Sequence, residues 1–130
     1  KKLDDTSNEL SIKNSMLLRR NESSEYAGYR KLRSSIYVSP EKSVTAEEAC
    51  RLFCLSSGHF RVVYKKYFGK SFHQDCIHLR IQLSKYLLVS TKMNIASVAE
   101  KSGFENEKYF MQQFRKNTGY TPGGYREVFG

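Results

Sequence analysis

His73, Cys76 and His78 fall within six residues, and Cys50 and Cys54 stand one helical turn apart, so zinc binding or a thiol nucleophile is the first chemistry to weigh. Zinc takes four converging ligands, usually with Cys-x2-4-Cys and His-x3-5-His spacing; Cys50-x3-Cys54 and His73-x4-His78 fall within those ranges, but the cluster of His73, Cys76 and His78 by itself supplies only three ligands. On a helix the three residues would also spread over different faces. No Gly-rich phosphate loop and no Ser/His/Asp motif is present. The three cysteines are an odd count without the spacing of a secreted disulfide scaffold, which suits a reducing cytoplasm. The expectation is no catalytic residue, no metal and no cofactor. A metal-dependent or thiol enzyme stays as a rival that stoichiometric zinc would revive.

The second chemistry is polyanion binding. Lys65 and Lys66 recur as Arg115 and Lys116, 50 positions later. The formal net charge is +9, and residues 1–25 contribute nothing to it, with five basic and five acidic side chains. The whole excess lies in 26–130. Such a field attracts nucleic acid, although an anionic membrane surface or simple solubility would also account for it. No apolar run approaches the roughly 18 residues that span a bilayer, and no secretory apolar region opens the chain. A soluble protein with no membrane partner is expected.

Helices must position these residues. Residues 1–25, rich in Ser, Asn and charge with one apolar trio at Met16 to Leu18, read as a linker from an upstream region. Tyr29, Leu32, Arg33 and Ile36 then recur at helical spacing and predict a helix from Ala27 to Val38, stopped by Pro40. Thr45 with Glu48 is a capping box opening a short helix that carries Ala49, Cys50, Leu52 and Phe53. Ser56 or Ser57 is the expected cap of the next, striped by Phe60, Val63, Tyr64 and Tyr67 and ended by Gly69. A longer helix spans about 71–90, with Ile77, Ile81, Tyr86 and Leu88 as apolar residues. Short helices follow around Ile95, Val98 and Ala99, then Tyr109, Phe110 and Phe114, and Thr121 with Pro122 opens a terminal helix to about 129. Nothing alternates at period two, so the expected class is all-α, with about seven helices.

The frame repeats. Cys50 and Ala99, and Leu55 and Phe104, are 49 apart, whereas Phe60 and Phe110, Tyr64 and Phe114, and Gly69 and Gly119 are 50 apart. One residue has been inserted in the second turn. Each unit, 45–69 and 95–119, is a helix, a turn and a second amphipathic helix with a basic free face, as in a helix-turn-helix. The joining helix, at 1.5 Å per residue, is roughly 30 Å long, close to the spacing of adjacent major-groove segments on one side of B-DNA.

The run 95–126, IASVAEKSGFENEKYFMQQFRKNTGYTPGGYR, resembles the signature of the AraC/XylS family of bacterial transcription regulators nearly position by position. The stretch 64–72, YKKYFGKSF, together with Arg80-Ile81 and Leu87-Leu88 followed by Thr91, also resembles the family, and the likeness covers about Tyr29 to Phe129. It implies a DNA-binding domain over 26–130 with two helix-turn-helix subdomains joined by a long central helix. The implied partners are double-stranded operator DNA, RNA polymerase, and an effector-binding or receiver domain upstream in the same chain. Two departures stand out. Cys50 replaces the usual small residue, and Cys54 holds the place of the turn glycine, so a less regular first turn is expected.

The resemblance makes the third and sixth helices the readers. Gly58, His59, Arg61 and Val62 then fall at base-reading positions of the first, and Glu107, Lys108, Met111 and Gln112 at those of the second. Arg61 suits guanine O6 and N7, Gln112 adenine, Glu107 cytosine N4 and Met111 a thymine methyl. Lys65, Lys66, Arg115 and Lys116 suit phosphates, which set register without reading sequence. Phe60, Tyr64, Phe104, Phe110 and Phe114 are assigned to the core. The alternative for each polar residue is a solvated helix surface, and for the whole chain a basic helical module that binds nucleic acid or protein without sequence preference.

Overall fold

The computed structural model describes residues 24–42 and 44–130, and within them seven helices and no strand. Helix α1 covers 24–38. It is followed by α2 (Ala46–Leu52), α3 (Phe60–Phe68), α4 (Phe72–Ser90), α5 (Ile95–Lys101), α6 (Glu107–Thr118) and α7 (Pro122–Phe129). Ser24 and Glu25, expected in the linker, are already helical. Residues 1–23, including Met16 to Leu18, lie outside the described residues.

Local chemistry sets the boundaries. The hydroxyl of Thr45 accepts from the amide of Glu48 at 3.1 Å, Ser71 from Gln74 at 3.1 Å and Thr121 from Gly124 at 3.0 Å. Asn94 and Asn106 accept from Ser97 at 2.8 Å and Tyr109 at 2.7 Å. Each bond satisfies an amide with no partner inside its helix. Gly69 and Gly119 end α3 and α6 in the left-handed conformation, so the repeat in sequence is a repeat in backbone.

The expected Ser56 or Ser57 cap is not used. Helix α3 begins at Phe60 after His59, which makes no side-chain cap hydrogen bond. The two units diverge here: one residue fewer separates Leu55 from Phe60 than Phe104 from Phe110, and residues 57–59, the counterparts of the first turn of α6, remain a bend around Gly58. Glycine here weakens any extra helical turn by about 1 kcal/mol. Helix α3 thus has nine residues and α6 twelve.

Two apolar clusters meet on α4. Tyr29, Leu32 and Ile36 from α1, Ala49 and Cys50 from α2, and Phe60 and Tyr64 from α3 pack with Phe72, Cys76 and Leu79. Ile77, Ile81 and Leu88, from the other side of α4, pack with Val98, Ala99, Phe104, Phe110 and Phe114. Burying rings the size of Phe60, Phe110 and Phe114 contributes about 2 kcal/mol or more each. Tyr86 departs from the expected apolar set, being 65% exposed. At 19 residues α4 is roughly 28 Å long.

Polar contacts brace the units. Arg80 Nε donates to the carbonyl of Pro40 at 2.7 Å, and Arg126 Nε to that of Leu88 at 2.9 Å, tying α7 to the end of α4. None of the described helices is long and apolar enough to cross a membrane.

Candidate nucleic-acid interface

The two turns that set the angle between paired helices are built alike. The amide of Leu55 donates to the carbonyl of Cys50 at 2.8 Å, and the amide of Phe104 to that of Ala99 at 3.0 Å. Both need a left-handed residue one position earlier, supplied by Cys54 at φ +55° and Gly103 at φ +94°. The expected irregularity of the first turn is thus confined to its residue type and to the short stretch after it. Cysteine tolerates this conformation at a cost of about 1 kcal/mol. Gly103 has a second constraint: a Cβ there would sit 2.7 Å from Cα of Glu41, so α5 and α6 join where the α1–α2 connection crosses them.

Helix α3 is oriented by a buried polar clamp. Tyr64 donates its hydroxyl to Oδ2 of Asp75 at 2.5 Å, and Arg33 donates to the same carboxylate through Nε at 2.7 Å and Nη2 at 3.2 Å. Asp75 is fully buried. Burial favours its neutral form, but the hydrogen bonds from Arg33 and Tyr64 outweigh that and hold its pKa below the ordinary value. Burial and the bond to Asp75 push the Tyr64 phenol well up. One carboxylate therefore fixes α1, α3 and α4 together. The sequence reading missed this clamp, although an Asp among the buried positions of an apolar helix is a signal for it.

Helix α6 is held by rings. Phe110 and Phe114 are fully buried, and Phe114 meets Tyr125 of α7 edge-on at 5.4 Å. Tyr109 Oη lies 3.5 Å from His73 Nε2 on α4.

With these inner faces fixed, the outer faces follow. All twelve candidate contact residues are exposed: Gly58, His59, Arg61, Val62, Lys65 and Lys66 in the first unit, and Glu107, Lys108, Met111, Gln112, Arg115 and Lys116 in the second. Val62 is 70% exposed and Met111 41%, apolar side chains that no core accounts for. In the first unit only Arg61, Val62, Lys65 and Lys66 lie on the helix, with Gly58 and His59 in the bend ahead of it. In the second all six lie on α6. The five aromatics assigned to the core are buried.

The thiol and imidazole cluster is dispersed: His73 is exposed, Cys76 buried and His78 half-buried. Among the described residues no group of three or more His, Cys, Asp or Glu is placed to hold a metal. Burial lifts the Cys76 thiol to about 11 and raises that of Cys50. Neither is a thiolate at neutral pH, and the thiolate is the nucleophile.

A family model described as a helix-turn-helix domain matches residues 49–127. The chain is 35% identical over 81 residues to the MmsAB operon regulatory protein of Pseudomonas aeruginosa, covering 62% of this chain and 26% of that relative. Other curated relatives are covered over 11% to 35% of their length, so the chain spans only a minor part of the proteins it matches. Among solved structures, the C-terminal domain of AraT, a response regulator from Geobacillus stearothermophilus, superposes with a TM-score of 0.73 at 26% identity, over 78% of this chain and 84% of that one. The C-terminal domain of the two-component response regulator yesN from Fusobacterium nucleatum gives 0.68 at 30% identity, over 75% and 96%.

Proposed function

The chain belongs to the AraC-type helix-turn-helix family, a family of DNA-binding regulators and not of enzymes, and on that footing we propose that it binds specific sequences of double-stranded DNA to regulate bacterial transcription. The observation that carries this is the duplicated reader: α3 and α6 each bury an aromatic face and leave a basic face exposed. A helix so presented enters the major groove, where base edges carry a distinct donor and acceptor code.

Helix α6 reads more bases than α3. It is longer, capped by Asn106, and offers Glu107, Lys108, Met111 and Gln112 from one rigid element. Arg61 is the principal reader of α3, with Val62 beside it for an apolar base edge, while Gly58 and His59 approach from the preceding bend. Lys65, Lys66, Arg115 and Lys116 meet phosphates. In the whole protein, RNA polymerase and an upstream effector-binding or receiver domain complete the partners; the relatives, of which the chain spans 11% and 26%, have room for such a domain.

Selection from random duplex DNA tests the reading. A recovered sequence is expected to bind at least 1,000-fold more tightly than random duplex, with a steep dependence on salt, roughly the margin that separates specific from non-specific binding. Equal affinity for all duplexes would establish a sequence-indifferent basic module instead.

A further inference from the structure

We propose that the cleft between α4 and α6 seats one DNA backbone phosphate lying between the segments read by α3 and α6, gripped from both sides by Lys70 and Lys116. The inference rests on the DNA-binding reading above and adds a site to it.

The cleft, of about 280 Å³, is lined by Lys70, Gln74 and His78 on one side and Gln113, Lys116 and Asn117 on the other. Every polar group there is a cation, an amide or an imidazole, and no carboxylate lines it. Asp75, next to Gln74 on α4, is bound by Arg33 and Tyr64 of the opposite cluster, although its charge is also felt by Lys70 and His78. The amide of Asn117 gives one of its two hydrogens to the carbonyl of Gln113 at 2.6 Å, and the other joins Lys70, Gln74, Gln113 and Lys116 among the donors of the lining. Burial, then the charge of Lys70, lowers the pKa of His78, so the field of Lys70 is felt at the cleft floor. Two exposed lysines flanking donors without a carboxylate suit one anion.

Position identifies the anion. Lys70 directly follows Gly69, the end of α3, and Lys116 lies one turn beyond Gln112 on α6. The cleft therefore opens at the exit of one reader and along the border of the other. With both in adjacent major-groove segments, the polymer between them presents phosphates.

The test uses the chain and its selected duplex. Ethylation interference on the unaltered protein should reveal a phosphate between the two recognition segments. In the double variant Lys70→Gln/Lys116→Gln that interference should vanish while base contacts in both segments persist, and the slope of log affinity against log salt should fall by about 1. Lys31→Gln, on the exposed surface of α1, should leave that interference in place. Interference that persists in the double variant, or vanishes equally in Lys31→Gln, overturns the inference. Absence of any selected sequence for the unaltered chain overturns the parent reading instead. Phosphate alone at millimolar concentration should not displace the duplex; displacement would identify a free-anion site and contradict the proposal.

Discussion

At the scale of single residues the decisive contact is the carboxylate shared by Arg33, Tyr64 and Asp75. Its partners are unequal: Asp75 is fully buried, whereas the Arg33 side chain is 38% exposed. Removing the arginine strands a buried charge, while removing the carboxylate leaves a guanidinium that reaches water. Arg33→Ala should therefore cost about 3 kcal/mol and Asp75→Asn less, as denaturant unfolding would measure. The folded pKa of Asp75 is depressed, so its stabilisation is complete above the unfolded carboxylate value near 4 and fades as pH falls through the lower folded value. Unfolding of the unaltered chain should steepen below about pH 4, and Asp75→Asn should lose that increment.

At the scale of elements the two turns make a controlled pair. Cys54→Gly relieves a left-handed side chain and should stabilise by about 1 kcal/mol. Gly103→Ala adds both a strained backbone and a methyl group 2.7 Å from the chain at Glu41, and should destabilise by at least 2 kcal/mol on thermal melting. The departure at Cys54 was legible in the sequence because the family resemblance implies a turn glycine there, and the structure shows that Cys54 holds the place Gly103 holds in the second unit. The late start of α3 was not, because Ser56 and Ser57 satisfy the rule for a cap and only the bend around Gly58 denies them a helix to cap. Residues 71–90 gave the right helix but no single apolar stripe, since α4 feeds one cluster through Phe72, Cys76 and Leu79 and another through Ile77, Ile81 and Leu88. That double duty also hid Asp75, whose partners lie 42 and 11 residues away in sequence.

At the scale of the whole molecule, the architecture was legible because it is a duplication: aromatic positions and terminal glycines recur at fixed spacing, and the folded chain buries the same rings and exposes the same basic faces in both units. The joining helix serves both cores, so neither unit is independent of the other, and a substitution that loosens α4 should weaken both readers. The inequality of the readers is a separate expectation, because three residues of helix and one side-chain cap distinguish α6 from α3. The most direct measurement is base-by-base binding of the selected duplex by Arg61→Ala and Gln112→Ala. A bipartite site of roughly 15 to 20 base pairs is expected, its two segments one helical turn apart, with Arg61→Ala relaxing one segment and Gln112→Ala the other. Both substitutions relaxing the same segment, or neither altering any base preference, would contradict the account.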